Sequence, residues 1–155
     1  MSIVTPCLWF DKQGLEAAEL YTSVVKNSRI VHVTHDPRDP STVLLVTFEL
    51  DGRTFTTLNG GPEYTHSPAI SLEIECDDQD DVDRCWNALS EGGEEGPCGW
   101  LTDRYGVSWQ IVPRRLKELL SDETVSKPVM EAMLQMGKID IAGLEEAAAA
   151  APAAR

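Results

Sequence analysis

The sequence has little positive charge. Thirteen Lys and Arg stand against 26 Asp and Glu, for a formal net charge of −13. That shortage excludes the clustered basic face that nucleic acid or an anionic membrane surface requires. It does not exclude an anionic small molecule in a local pocket. Cysteine is also sparse. Cys7, Cys76, Cys85 and Cys98 are scattered with no C-x-x-C pair, so neither zinc ligation nor a disulfide framework is expected. No apolar run approaches a membrane span, and "MSIVTPCLWFDK" has no basic segment ahead of its apolar residues, so no signal peptide is expected. A reducing cytoplasm is the expected location. The glycine pairs Gly60-Gly61 and Gly92-Gly93 do not fall in a strand–GxG–helix context, which is what a nucleotide-type cofactor would need.

What is present is ordinary globular composition, 42% hydrophobic and 25% charged over 155 residues. That length suits one domain or two small fused modules. "IVTPCLWF", residues 3–10, reads as a strand with Thr5, Cys7 and Trp9 on one face. Asp11 can cap the helix that follows, where Ala17, Ala18, Tyr21, Val24 and Val25 make an apolar stripe. "RIVHVTH" is a strand and "DPRDPS" reads as a loop. Asp51-Gly52 between "STVLLVTFEL" and "RTFTTLN" predicts a hairpin with a type I′ turn. After the turn-rich link "GGPEYTHSP" the cycle repeats. "AISLEIEC" alternates as a strand. "DDQDD" opens a helix whose Val82, Cys85, Trp86 and Leu89 share a face, and Gly92-Gly93 stops it. Short strand-like pieces follow at 94–98 and 100–103. Then comes "VSWQIV", with Val107, Trp109 and Ile111 on one face and Ser108, Gln110 and Val112 on the other. An amide on so apolar a strand needs a partner or a cavity.

The expected fold is α+β. Two βαβββ modules cover residues 3–60 and 69–113, with C-terminal helices over 114–150 and a frayed tail at 151–155, all within a single domain 1–155. Met130, Met133 and Leu134 form an apolar stripe in the helical part, which suits packing on its own domain and a dimer contact equally.

The segments "TPCLWFDKQGLEAAELY", "TLNGGPEYTHSPAISLEIECDDQDDVDRCW", "GPCGWLTDRYGVSWQIVPR" and "VMEAMLQMGKIDI" together carry a resemblance. The chain resembles the PhnB-like branch of the vicinal oxygen chelate superfamily, a branch often labelled 3-demethylubiquinone-9 3-methyltransferase. The resemblance implies paired βαβββ modules around a cavity. In metal-dependent members His and Glu from the first and last strands of each module bind a divalent ion. The matching positions here are Thr5 in place of the first His, Asn59 or Thr57 in place of Glu, Ser71 in place of the second His, and Gln110 in place of the second Glu. Gln110 is fixed by the ungapped turn Asp103-Arg104-Tyr105-Gly106. Neutral hydroxyls and amides do not hold a transition metal, so no metal and no cofactor is expected. His32 and His35 do not change this, because residues three apart on a strand point to opposite faces.

The expected ligand pocket is lined by Thr5, Cys7, Trp9, Asn59, Ser71, Glu73, Trp100 and Gln110. A small aromatic, quinone-like or amphiphilic molecule fits its mixed character. Glu73, His66 and Cys7 are the candidates for chemistry, should the protein be a lyase, isomerase or oxygenase of this fold. Methyl transfer, as the branch label implies, lacks a binding motif for S-adenosylmethionine. The expected partners are an unidentified small molecule and a second copy in a homodimer, with no nucleic acid and no membrane.

Overall fold

The computed structural model describes residues 3–152. The expected frayed tail falls mostly at 153–155, outside the described residues. The chain divides into two compact units, Met1–Ser67 and Pro68–Arg155.

The first unit holds β1 (Cys7–Phe10), α1 (Gly14–Val24), β2 (Arg29–Asp36), β3 (Asp39–Leu50) and β4 (Arg53–Asn59). They form one four-stranded sheet in the order β1-β4-β3-β2. β1 runs parallel to β4, and the other neighbours are antiparallel. α1 packs chiefly on β3 and buries Ala17, Ala18, Tyr21 and Val24. Tyr21 lies 6.4 Å from Phe48, ring to ring. Asp51 and Gly52 both have positive φ, 47° and 73°, as the expected type I′ hairpin requires.

Three local expectations are corrected. β1 starts at Cys7 rather than at residue 3. Pro6 has no N–H to offer a ladder, and Ile3 and Val4 are 99% and 75% exposed. The stretch "DPRDPS" is no loop. β2 and β3 continue through it to Asp36 and Asp39, leaving Pro37 and Arg38 as the tip. Asp36 stabilises that tip by accepting the Arg38 backbone N–H at 2.8 Å and its guanidinium at 2.7 Å. Finally, Asp11 does not cap α1, whose N-cap Gln13 makes no side-chain cap bond.

The second unit repeats the order with β5 (Ser71–Cys76), α2 (Gln79–Ser90), β6 (Glu94–Glu95), β7 (Trp100–Thr102) and β8 (Ser108–Pro113). Its sheet runs β5-β8-β7-β6, again with first and last strands paired parallel. Asp78 caps α2 by accepting the Asp81 N–H at 2.9 Å. Val82, Cys85, Trp86 and Leu89 are all buried on one helix face. Val107, Trp109 and Ile111 are buried to 3% exposure or less, as the alternation predicts.

Three further helices follow: α3 (Arg114–Ser121), α4 (Ser126–Met133) and α5 (Ile141–Ala149). They have their own core of Leu116, Leu119, Val129, Ile139 and Leu144. Gln79 of α2 fastens this core to the module. Its Nε2 donates to the Ile139 carbonyl at 3.1 Å and its Oε1 accepts the Ile141 N–H at 2.8 Å. Cys98 and Gly99 donate to the carbonyls of Met136 and Gly137, each at 2.8 Å. Met133 packs against the helical core, while Met130 and Leu134 stay 41% and 55% exposed.

Candidate functional site

Four residues of the expected pocket lie in the first unit and four in the second. In the first unit the sheet separates them by face. The register pairs Leu8 with Thr57 and Phe10 with Asn59, and pairs Cys7 with Thr56 and Trp9 with Leu58. Side chains of directly paired residues share a face and alternate along the strand. Leu8, Phe10 and Thr57 are buried. Asn59 therefore belongs to the face that carries α1, and Cys7 and Trp9 belong to the other. Leu58 and Thr56, unmarked in the sequence, are their neighbours on β4. Thr5 precedes β1 and is exposed.

Asn59 is occupied structurally. Its Oδ1 accepts the Gly14 N–H at 2.8 Å, the first donor of α1. Its amide donates to the carbonyls of Lys12 at 3.1 Å and Val43 at 3.0 Å. The cap that Asp11 was expected to supply thus comes from a strand 45 residues further along. A Cβ on Gly14 would meet Asn59 Oδ1 and Thr57 Oγ1 at 2.7 Å, so the helix begins on a glycine.

Trp9 is held by the link that follows β4. Its Nε1 donates to the Gly61 carbonyl at 2.9 Å, and Tyr64 meets its ring edge-on at 5.0 Å. His66 Nε2 lies 2.7 Å from the Trp9 carbonyl, which can only accept, so this nitrogen is the donor. The His66 ring also packs on Phe10 at 5.2 Å. As a candidate base His66 is anchored from the link to the backbone of β1. Cys7 is exposed and free. The nearest histidine on its face by register is His32, paired with Thr47 on the far side of β4 and β3. Three strand spacings amount to about 14 Å, too far to activate the thiol.

The second unit keeps its four residues together. Ser71 pairs with Ser108, Glu73 with Gln110, and Trp100 with Gln110 from the other side. All share the face opposite Trp109 and Ile111. Gln110 Nε2 donates to Ser71 Oγ at 2.9 Å, which answers the question of its partner. Glu73 is ion-paired with Lys117 of α3. Lys117 also reaches Glu75 at 3.0 Å, and Arg114 bonds Glu75 at 3.1 Å and Asp77 at 2.7 Å. Lys117 and then Arg114 hold the Glu75 carboxyl below its ordinary range.

A cavity of about 400 Å³ opens at the β6–β7 end of this sheet. Trp100, Thr102 and Ser108 line it from the face that carries Gln110, and Pro68, Gly96, Pro97 and Leu101 line it as well. Glu94 and Glu95 also line it, Glu94 paired with Thr102 on the same face and Glu95 paired with Leu101 on the face that carries α2. Glu95 is fixed by the Trp86 indole N–H, which donates to its Oε1 at 3.0 Å. Of these residues only Trp100 was singled out from the sequence. Ser108 and Thr102 could have been found by carrying the Gln110 face back along β8 and across to β7. The two-residue strand β6 left no periodic signal.

No group of three or more His, Cys, Asp or Glu is placed to hold a metal ion among the described residues. No helix is long and apolar enough to cross a membrane among them.

A family model described as 3-demethylubiquinone-9 3-methyltransferase matches residues 2–112. The match ends just before α3. Among solved structures, the PhnB protein from Bacillus cereus is 29% identical, covers 72% of this chain and 99% of its own, and superposes with a TM-score of 0.65. Protein PA1353 from Pseudomonas aeruginosa is 19% identical with a TM-score of 0.62, over 73% of this chain and 98% of its own. The fosfomycin resistance protein FosX from Listeria monocytogenes, complexed with Mn(II) and sulfate, is 12% identical with a TM-score of 0.53, over 71% of this chain and 89% of its own. The last two likenesses concern the fold alone. No curated protein matches the chain.

Proposed function

The chain belongs to the 3-demethylubiquinone-9 3-methyltransferase family, the PhnB-like branch of the vicinal oxygen chelate superfamily, and we propose that it binds a small organic molecule without a metal, on the sheet face carrying Gln110 and Trp100. The carrying observation is the Gln110–Ser71 hydrogen bond at 2.9 Å. Both positions are where metal-dependent relatives of this fold place charged or imidazole ligands. Here they hold an amide and a hydroxyl that satisfy each other.

The donor chemistry does not fit a divalent ion. A transition metal needs imidazole, thiolate or carboxylate donors, and charge to offset its own. The nearest carboxylate, Glu73, is already matched by Lys117. The FosX relative binds Mn(II), but that property is its own. Methyl transfer has no better support. Gly60 and Gly61 follow β4 into a link, and Gly92 and Gly93 join α2 to β6. Neither pair forms the strand-to-helix turn that cradles S-adenosylmethionine.

What favours binding is the adjoining cavity. Its volume of about 400 Å³ falls within the range of small-molecule sites, roughly 300–1,000 Å³. Trp100 provides a flat apolar wall, and Thr102 and Ser108 provide orienting hydroxyls. Self-association into a homodimer is part of the same proposal, and light scattering on the eluting protein tests it.

The binding proposal is tested on EDTA-treated protein. Excess Mn2+, Ni2+ or Zn2+ should leave the melting temperature unchanged, since a ligand raises it only by binding the folded state. An aromatic fragment mixture should shift the NMR signals of Trp100 and Gln110. A metal-induced rise in melting temperature would overturn the metal-free reading. Fragment shifts confined to other regions would overturn the site.

A further inference from the structure

We propose that the cavity at the β6–β7 end takes an uncharged ring bearing one terminal oxygen, a hydroxyl or a carbonyl. The inference rests on the reading of this cavity as a small-molecule site and names the class of molecule that site selects.

Ser108 carries the argument. It is only 2% exposed, and it lines the cavity. Its hydroxyl has no hydrogen-bond partner among the described residues, and neither has the hydroxyl of Thr102. A buried hydroxyl without a partner is destabilising, and a ligand oxygen can supply the missing bond. The register pairs Ser108 of β8 directly with Thr102 of β7. Residues paired in this way hold their Cβ atoms about 5 Å apart. One oxygen between the two side chains can therefore meet both. A carbonyl oxygen would accept from both hydroxyls. A ligand hydroxyl would accept from one and donate to the other.

Trp100 places the ring. It stands two residues before Thr102 on β7, on the same face and about 7 Å along the strand. A ring bonded to the held oxygen reaches the indole and stacks on it. The cavity volume, near the lower end of ligand sites, suits a single ring with a short polar head rather than an extended chain.

The charges around the cavity select against an anion and offer little to a cation. No Lys, Arg or His lines it among the described residues. Among the lining residues, the one carboxylate on the Ser108 face is Glu94, paired with Thr102 and exposed. Water and salt screen an exposed charge, so Glu94 repels a carboxylate held close to it and gives a cation no desolvated partner. Glu95 pairs with Leu101 on the opposite face, where the Trp86 indole N–H holds it. What remains to be recognised is a neutral oxygen.

The test titrates phenol, acetophenone, toluene and benzoate into 15N-labelled full-length protein and follows the Trp100 indole signal. Phenol and acetophenone should shift it, and the tighter of the two identifies the oxygen as hydroxyl or carbonyl. Benzoate should not shift it. The affinity of that tighter binder relative to toluene should fall about fivefold in Ser108→Ala and again in Thr102→Val, since each change removes one hydrogen bond to the ligand. Without ligand, Ser108→Ala should not lower the melting temperature, because no protein group loses a partner. A fall of several degrees would show that the hydroxyl serves the fold, and would overturn the proposal. A ratio unchanged in both variants, benzoate binding as tightly as phenol, or toluene alone moving the signal would also overturn the neutral-oxygen assignment, while the small-molecule reading stands. If none of the four moves the Trp100 signal, both fall.

Discussion

Asp103 Oδ2 accepts the indole N–H of Trp109 at 2.8 Å, and both residues are buried to 2% exposure or less. The other carboxylate oxygen accepts the backbone N–H groups of Tyr105 at 2.8 Å and Val107 at 3.1 Å. One side chain thus closes the turn between β7 and β8, with Gly106 at φ 87° completing it. The turn sets the register that places Gln110 between Glu73 and Trp100.

Removing that carboxylate should be costly. Asp103→Ala removes the carboxylate that accepts the buried Val107 N–H and Trp109 indole N–H, and the expected loss is about 3 kcal/mol. Asp103→Asn should cost about 2 kcal/mol, because an amide can accept on one side only. Urea denaturation measures both. A loss under about 1 kcal/mol for Asp103→Ala would mean that water replaces the carboxylate.

Gly14→Ala should destabilise, although alanine is the better helix former by about 1 kcal/mol. The new methyl would meet Asn59 Oδ1 and Thr57 Oγ1 at 2.7 Å. We expect a loss of about 2 kcal/mol, with Asn59→Ala costing about 1 to 2 kcal/mol as a lost cap. In a double-mutant cycle the two changes should be strongly non-additive, since they act on one contact. Additive values would separate the cap from the clash.

The attachment of α3–α5 should loosen in acid. Glu75 is held below its ordinary value by Lys117 and Arg114, Asp83 by Lys138 and Gln79, and Glu145 by Arg115. A carboxyl with a lowered folded pKa contributes stability above its unfolded value, near pH 4. That contribution disappears as pH falls through the folded value. These groups are exposed, so the effect is modest and weakens with salt. Hydrogen exchange at Leu144 should accelerate below pH 4 before exchange at Ile111 does. Simultaneous loss would show that the helices and the sheet unfold as one unit.

Gln110→Glu should not create a metal site. The new carboxylate would sit beside Glu73, which Lys117 already neutralises, and a Ser71 hydroxyl, a weak ligand when neutral. Protein dialysed against Zn2+ or Mn2+ and then against buffer should retain no stoichiometric metal. Retained metal would show that Lys117 yields its partner.

Much of the architecture was legible because its signals were local. Asp51-Gly52 fixed one hairpin, and the spacing of Val82, Cys85, Trp86 and Leu89 fixed one helix face. The shared face of Ser71, Glu73, Trp100 and Gln110 was legible for a similar reason. Gln110 lies four residues after an ungapped turn, and its face follows from strict alternation. The capping role of Asn59 was not legible, because it is set by a register that no local pattern records. A strand end carrying Asn looks the same whether it lines a pocket or caps a helix. The loop reading of "DPRDPS" failed because proline marks a break only where a ladder N–H is needed, and a hairpin tip needs few. The strand-like piece at 94–98 gave no face for Glu94 and Glu95, since a strand of two residues shows no period.

In each unit the first strand pairs with the last, Cys7 with Thr56 and Ser71 with Ser108, while the intervening pairs join neighbours along the chain. Hairpins close short loops, and the parallel pairing must close a long one, which is entropically slower. The Gln110–Ser71 bond therefore belongs to the last closure of its module. Anything that stalls refolding of that unit would leave its hairpins formed and the Gln110 face incomplete, so recovery of the proposed binding would lag behind recovery of secondary structure. Stopped-flow circular dichroism run alongside a Trp100 binding signal would resolve that delay.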